Sequence, residues 1–472
     1  MDSCLQRIVA ACLMLLAFKA SAAVLYVDVN STNPVSRYTS WPTAATNIQD
    51  AIDAATNGDL VLVTNGVYAT GGRMWFDSGT NRVTLTNTIT LQSVNGPAVT
   101  FIVGSQVVGT GSALTSAVRC VGIGNNAVLS GFTLTNGEAG AGNYPDGGGV
   151  AYIYGPGGGT VTNCVLIGNI STNSAGGGAY RVTLINCQII GNYASEGGGA
   201  CACTLINCTV VSNTATSGGG VFGSTVFGTS LLSNCTIVGN AASSSGGGVN
   251  SGGEGVMNNC IIYFNTAPSG SNYTGINMNY CCTMPTLNGD LTSFTNAPLF
   301  QNAAADDFRL QSNSPCINSG NNTYVTVTYD LDGNPRIVGG TVDIGAYEYQ
   351  TPASIISYAW LQQYGLPTDG SVDFSDLDGN GMNIYQDWIA GLNPTNRASV
   401  LALQAPATTN TTGITVTWQS VNTRTYYLQS STNLPAFITI QSNIVGQAGT
   451  TSYTDTTATN GGPYFYRVGV QH

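Results

Sequence analysis

The dipeptide Asn-Cys returns at 163–164, 186–187, 207–208, 234–235 and 259–260, at intervals of 23, 21, 27 and 25 residues. An Asn follows each Cys by five positions, at Asn169, Asn192, Asn213, Asn240 and Asn265. Glycine triplets open at Gly147, Gly176, Gly197, Gly218 and Gly246. A chain that brings the same residues back to the same phase at this period is a solenoid, because each repeat buries its apolar face only against its neighbours. Upstream, LSGFTLTNG at 129–137 places Gly131 in the Cys slot and Asn136 in the Asn slot.

The segments between glycines, such as TVTNCVLIGN and LLSNCTIVGN, are short, β-branched and apolar, without helical periodicity. A leucine-rich repeat would need spaced leucines and a helical back. Three short strands per coil with Gly and Asn corners suit the spacing, and successive coils then stack at about 4.8 Å. Each Cys falls over the next as a small inward ladder. The Asn five residues later is expected to turn the corner in the left-handed region and to pass amide hydrogen bonds along the axis. The long interval between Cys208 and Cys235 is expected to bulge outward as a loop. The fold predicted is all-β, a right-handed parallel β-helix. Stacked cysteines are poorly aimed for bridging, so the ladder is expected to stay reduced, and Cys281, Cys282 and Cys316 are the better disulfide candidates.

Only 7% of the chain is charged, while 61 residues are glycine, a composition suited to an extracellular solenoid. Arg7, an apolar run over 8–18 and Ala20-Ser21-Ala22 form a Sec-type signal over 1–22; Val9-Ala10-Ala11 before Cys12 offers a lipoprotein alternative. No later segment has the roughly 20 apolar residues of a membrane span. Lys19, the one lysine, leaves with the signal, and the one histidine is His472. With a net charge of −11, nothing basic replaces phosphate counterions, so nucleic acid is excluded as a partner. A secreted or cell-surface monomer is expected.

Solenoid ends need lids. AATNIQDAIDAATNGDLVLVTNGVY (44–68) predicts a short amphipathic helix that ends at Gly58 and turns into the first strand. At the other end, NAPLFQNAAADDFRLQSNSPCINSGNN (296–322) and YDLDGNPRIVGGTVDIGAYEY (329–349) resemble the tail of bacterial right-handed β-helix proteins of the choice-of-anchor Q type. That resemblance implies a pectin lyase-like solenoid over 23–349 with capping ends. Within the tail, Asp330, Asp332, Arg336 and Asp343 are read as a tight turn at Asp332-Gly333 with Arg336 paired to a carboxylate, rather than as a catalytic or metal cluster.

Activity must be argued from a site, since β-helices carry lyases, hydrolases and adhesins alike. Between 75 and 290 the acids are Asp77, Glu138, Asp146, Glu196, Glu254 and Asp290, with no adjacent Asp pair. The slot before each triplet holds Asp146, Ala175, Glu196, Ser217 and Ser245. Stacking puts Asp146 and Glu196 two coils apart, about 9.6 Å, near the upper limit for an inverting glycosidase pair, with Arg181 on the coil between. These three are the catalytic candidates.

After Tyr349 the composition changes. ISYAWLQQYGLP (355–366) predicts a short helix, and DFSDLDGNGMNIYQDWIAGLNPTN (373–396) resembles a dockerin or thrombospondin type 3 calcium loop. Counted from Asp376, the oxygen positions hold Asp376, Asp378, Asn380, the Met382 carbonyl and Asp387, with Gly381 at the turn; Ile384 offers no side-chain ligand. A structural Ca²⁺ is therefore expected in the connector 350–397. From 398 to 472, alternating strands with Trp418, Tyr427, Phe437, Tyr453 and Tyr466 as core resemble a fibronectin type III sandwich. The function expected is structural or adhesive, binding glycans or extracellular proteins through the β-helix surface. The alternative is a polysaccharide lyase or glycoside hydrolase acting on an acidic polysaccharide.

Overall fold

A computed structural model describes residues 22–75, 79–107, 116–139, 146–153, 158–224, 226–287, 289–405, 413–459 and 462–471. The segment up to position 21, where a signal peptide is expected, lies outside the described residues with Cys12 and Lys19, as do Asp77 and His472. The chain forms two compact units, one of Met1–Leu232, Ile237–Val256 and Phe264–Ile276, the other of Ser233–Thr236, Met257–Tyr263 and Asn277–His472.

The first unit is a right-handed parallel β-helix. On its first face Val24–Val27, Leu60–Val63, Thr90–Ser93, Val128–Ser130, Thr160–Thr162, Thr183–Ile185 and Thr204–Ile206 pair in parallel, each with the next. On a second face Gly66–Tyr68, Thr100–Val103, Thr133–Thr135, Val165–Ile167, Gln188–Ile190 and Thr209–Val211 do the same. A third face stacks Ile170–Ala175, Tyr193–Glu196, Thr214–Ser217 and Ala241–Ser245. Parallel crossovers take the right-handed coil because right-twisted strands pack back onto the sheet that way.

A coil has four strands rather than the expected three. Ala179–Tyr180 and Ala200–Cys201 form a short additional column. Arg181 and Ala202, at φ 51° and 53°, kink the chain between this column and the main first face.

The two tasks assigned to one Asn column are divided between two. The left-handed corner belongs to the Asn before each Cys: Asn163, Asn186, Asn207, Asn234 and Asn259 have φ of 52–55°. The Asn five residues after the Cys is wholly buried and carries the amide ladder; Asn169, Asn192 and Asn213 each receive or donate at 2.9–3.0 Å along the axis. Its left-handed neighbour is the residue before it, as at Gly168, Gly191 and Ser212. The upstream copy also shifts by one. Because Thr133 pairs with Val165, Phe132 occupies the Cys slot, Gly131 the corner Asn slot and Gly137 the ladder slot.

Cys164, Cys187 and Cys208 are buried inward thiols that donate to the carbonyls of Thr162, Ile185 and Ile206 at 3.2–3.3 Å. Cys281, Cys282 and Cys316 are also free, against the disulfide expectation. Backbone carbonyls satisfy two of them instead, Asn279 taking Cys281 at 3.4 Å and Asn296 taking Cys282 at 3.1 Å.

The N-terminal helix, Ile48–Ala54, is capped by Asn47, whose side chain accepts the Gln49 N–H, and buries Ile48, Ala51 and Ile52. It follows the Val24–Val27 strand instead of preceding the first strand. Parallel pairing of that strand with Leu60–Val63 requires a crossover, and the helix supplies it.

In the second unit the tail turns at 330–334, where Asp330 accepts the Asn334 N–H at 2.8 Å. Arg336 is buried, 3.5 Å from Glu348, and donates to the Asp343 carbonyl at 2.9 Å. Burial first, then neighbouring carboxylate charge, raises Glu348 to about 9, and burial raises Asp343 to about 7. Asp332 instead pairs with exposed Arg309 at 2.7 Å. Helices Tyr358–Gln363 and Ile384–Ala390 pack around Ile356, Leu361 and Ile384. The C-terminal β-sandwich joins Ile414–Ser420 with Gly449–Asp455, and Ile438–Val445, Thr425–Ser431 and Phe465–Gln471 in a second antiparallel sheet. Trp418 is buried as expected, but Tyr426, not Tyr427, is its core partner, at 5.9 Å. The alternation of Thr425–Ser431 points the even positions inward. Phe437 lies outside this core, with Arg467 stacked 4.4 Å from its ring centroid.

Candidate functional site

The corner before each glycine triplet creates a ridge of stacked side chains. The first glycine of each triplet has φ between +63° and +71°. A Cβ on Gly176 would lie 2.3 Å from the Ala179 carbonyl and 3.1 Å from the Tyr180 Cβ. Only glycine allows so tight a turn, which lays the slot before the triplet beside the residue four positions after its start.

The slot residues stack as sequence spacing predicts: Ala175 over Glu196, Glu196 over Ser217, Ser217 over Ser245. Asp146 heads the column, accepting the Ala175 N–H at 3.1 Å and the Ser174 hydroxyl. Further along, Asn250 donates to the Ser217 hydroxyl at 2.6 Å and to that of Ser245 at 3.1 Å.

A second column, Ala151, Tyr180, Cys201, Phe222 and Asn250, runs alongside. The long interval after Cys208 does bulge, in a loop closed by pairing of Ser224 with Gly228. This loop lays Phe227 edge-on to Phe222, with centroids 6.1 Å apart. Arg181 donates through Nε to the Phe227 carbonyl at 2.8 Å, and its guanidinium lies 5.2 Å from the Tyr180 ring centroid. The three candidates, Asp146, Glu196 and Arg181, are therefore brought onto one ridge.

The electrostatics separate the two acids. Burial, then the nearby Asp146 carboxylate, raises the pKa of Glu196. The Glu196 carboxylate has no hydrogen-bond or ion-pair partner among the described residues, whereas Asp146 is 7% exposed and its carboxylate accepts from the Ala175 N–H and the Ser174 hydroxyl. Burial and Asp146 also push Tyr180 up. Sequence reasoning missed Tyr180, Phe222 and Phe227. The first two were legible as the fourth residue after Gly176 and Gly218; Phe227 was not, because loop placement leaves no periodic signal. Of the other acids, Glu138 accepts the Val107 N–H at 2.6 Å and Asp290 the Thr292 N–H at 2.8 Å. The water-sized dimple lined by Asn47, Tyr68 and Arg82 is remote from this chemistry.

In the connector, Asp376 accepts the N–H groups of Gly379 at 2.8 Å and Gly381 at 2.9 Å, and Asn380 accepts that of Met382 at 2.7 Å. Asp387 is 1% exposed and its Oδ1 has no partner. Burial, then the charges of Asp378 and Asp376, raises it to about 6, with the nearby Asn380 amide opposing the shift. Among the described residues no three His, Cys, Asp or Glu side chains are gathered tightly enough to hold a metal. The orphaned Asp387 oxygen and the mixed carboxylate, amide and carbonyl donors nevertheless suit a hard cation taken up with loop closure.

No protein-family model and no curated protein matches the sequence. Among solved structures, a pectate lyase is similar at 13% identity and a TM-score of 0.38, covering 70% of this chain and 97% of its own. A pectin methylesterase from Erwinia chrysanthemi is similar at 12% identity and 0.34, covering 61% and 98%. A rhamnogalacturonan lyase is similar at 11% identity and 0.32, covering 74% and 100%. The likeness is one of fold alone. No helix among the described residues is long and apolar enough to cross a membrane.

Proposed function

We propose that this is a secreted or surface-displayed β-helix protein of structural or adhesive role, which contacts glycans along the ridge before the glycine triplets. The observation that carries the reading is the convergence of Asp146, Tyr180, Arg181 and Glu196 beside the Phe222–Phe227 pair. Carboxylates and a guanidinium satisfy sugar hydroxyls directionally, and aromatic faces take the apolar side of a pyranose ring. In the connector, Ca²⁺ held by Asp376, Asp378, Asn380, the Met382 carbonyl and Asp387 would supply only charge neutralisation, rigidifying the helix that follows. The fibronectin III-like module at 398–472 is a spacer or second contact surface in this reading.

The experiment is binding of the full-length protein to a panel of plant and bacterial glycans, alongside Phe222→Ala/Phe227→Ala. Retention of a bound glycan at reduced affinity in the variant supports the ridge; undiminished affinity removes it.

A second reading rests on the Asp146–Glu196 pair. A raised carboxyl opposite a hydrogen-bonded carboxylate suits general acid catalysis in a glycoside hydrolase. Release of reducing ends that vanishes in Glu196→Gln would establish it.

A further inference from the structure

Glu196 is half-buried and its carboxylate has no hydrogen-bond or ion-pair partner among the described residues, while the Asp146 carboxylate accepts the N–H of Ala175, the residue that stacks directly on Glu196, and raises the Glu196 pKa. The neighbouring cation is already engaged: Arg181 Nε is used by the Phe227 carbonyl at 2.8 Å, and its plane covers Tyr180. The chain as a whole carries −11. A uronate approaching this ridge meets the Glu196 carboxylate with Arg181 already engaged, while Arg119, the guanidinium beside Asp146, is buried and donates to the Asp146 and Gly147 carbonyls, so bringing a further carboxylate to Glu196 costs free energy. An ammonium group does the opposite, relieving the Asp146–Glu196 repulsion and giving Glu196 a donor.

We propose that the ridge selects a glycan with free amino groups, a hexosamine polymer, whose ammonium is held between Asp146 and Glu196 while a neighbouring ring lies against Phe222 and Phe227. The proposal rests on the glycan-contact reading above, and it names a basic glycan where the alternative, enzymatic expectation named an acidic polysaccharide. The aromatic edge adds to the same preference, since the electron-rich face of half-buried Phe222 favours a cation over an anion. The pH dependence follows from the groups facing Glu196, which are Asp146 on the same corner column and Tyr180, Cys201 and Arg181 on the adjoining one. Glu196 loses its proton above the ordinary carboxylate range, so affinity rises with pH as it ionises, for as long as the amine stays protonated.

The test is calorimetric titration of the full-length protein with a glucosamine oligomer, its N-acetylated counterpart and a galacturonate oligomer of equal length. The glucosamine oligomer is expected to bind at least about tenfold tighter than either of the others, the scale of one charge-assisted hydrogen bond. Glu196→Gln is expected to remove that advantage without lowering the melting temperature. Equal binding of the glucosamine and N-acetylated oligomers, tighter binding of the galacturonate oligomer, or an advantage that survives Glu196→Gln would each overturn the charge assignment while leaving a glycan-binding protein. Absence of binding to all three and to the wider panel would instead sink the glycan reading itself.

Discussion

Asn213 donates its side-chain amide to the Asn240 carbonyl oxygen at 2.9 Å, and Asn240 Oδ1 also accepts the Asn213 backbone N–H at 2.9 Å. The pair repeats between Asn192 and Asn213 and between Asn169 and Asn192. One side chain thus satisfies a buried corner amide on the coil before it and is satisfied in turn by the coil after. A second amide hydrogen reaches a backbone carbonyl, Ile189 for Asn213, at 2.9 Å.

Asn213→Ala should therefore cost about 2–4 kcal/mol, because it leaves buried donors and acceptors on two coils without partners. Exposed Asn163 serves through its left-handed backbone, so Asn163→Gly should stay within about 0.5 kcal/mol and Asn163→Val should cost about 1–2 kcal/mol. Chemical denaturation of the three variants checks the division of labour; equal losses for Asn213→Ala and Asn163→Gly would refute it.

Cys208 is fully buried with its thiol on the Ile206 carbonyl at 3.2 Å. Cys208→Asp should abolish the cooperative melt, since an isolated carboxylate would enter an apolar core, whereas Cys208→Ala should lose only about 1–2 kcal/mol. A Cys208→Asp protein that melts like the parent would contradict the inward ladder.

Calcium should raise the melting temperature of the full chain and change its Trp fluorescence, because Trp388 lies on the helix that carries Asp387. Asp378→Ala should lose both responses. Binding requires the Asp387 carboxylate, whose pKa is raised to about 6, so the stabilisation should grow as pH rises through 6. Superimposable melts in Ca²⁺ and in chelator at pH 7.5 would dispose of the site.

The buried tail cluster sets a pH dependence of opposite sign. Asp343 and Glu348 are raised to about 7 and about 9, above their unfolded values near 4, so the folded tail binds more protons between those limits. Its stability is full below about pH 4 and is lost as pH rises through 7 to 9, by about 1–3 kcal/mol. Hydrogen exchange over 318–349 at pH 5 and pH 9 reads this directly, and Glu348→Gln should flatten the difference.

Repetition in the chain was enough to specify the β-helix, its buried Cys column and the ridge that holds Asp146 and Glu196. Each of these depends on a residue type returning at the same phase, and stacking then follows from hydrogen-bonded coils alone. Repetition did not say which of two Asn columns turns the corner, since both recur at the same interval; backbone φ and burial separate them. It shifted the 129–137 copy by one residue, because Phe132 replaces Cys164's type and the alignment leaned on glycine and asparagine. The alternation of the sandwich strands was visible, but which of Tyr426 and Tyr427 faces Trp418 depends on how the two sheets pack. Nothing periodic marks Phe227, whose loop is folded back by one bridge onto the Tyr180–Phe222 column. Nor does spacing alone predict that Arg181 donates to the Phe227 carbonyl rather than to the Glu196 carboxylate. Local order propagates through short-range stacking and is written in the chain, while the charge balance of the ridge arises from contacts between segments 46 residues apart, which only their packing brings together.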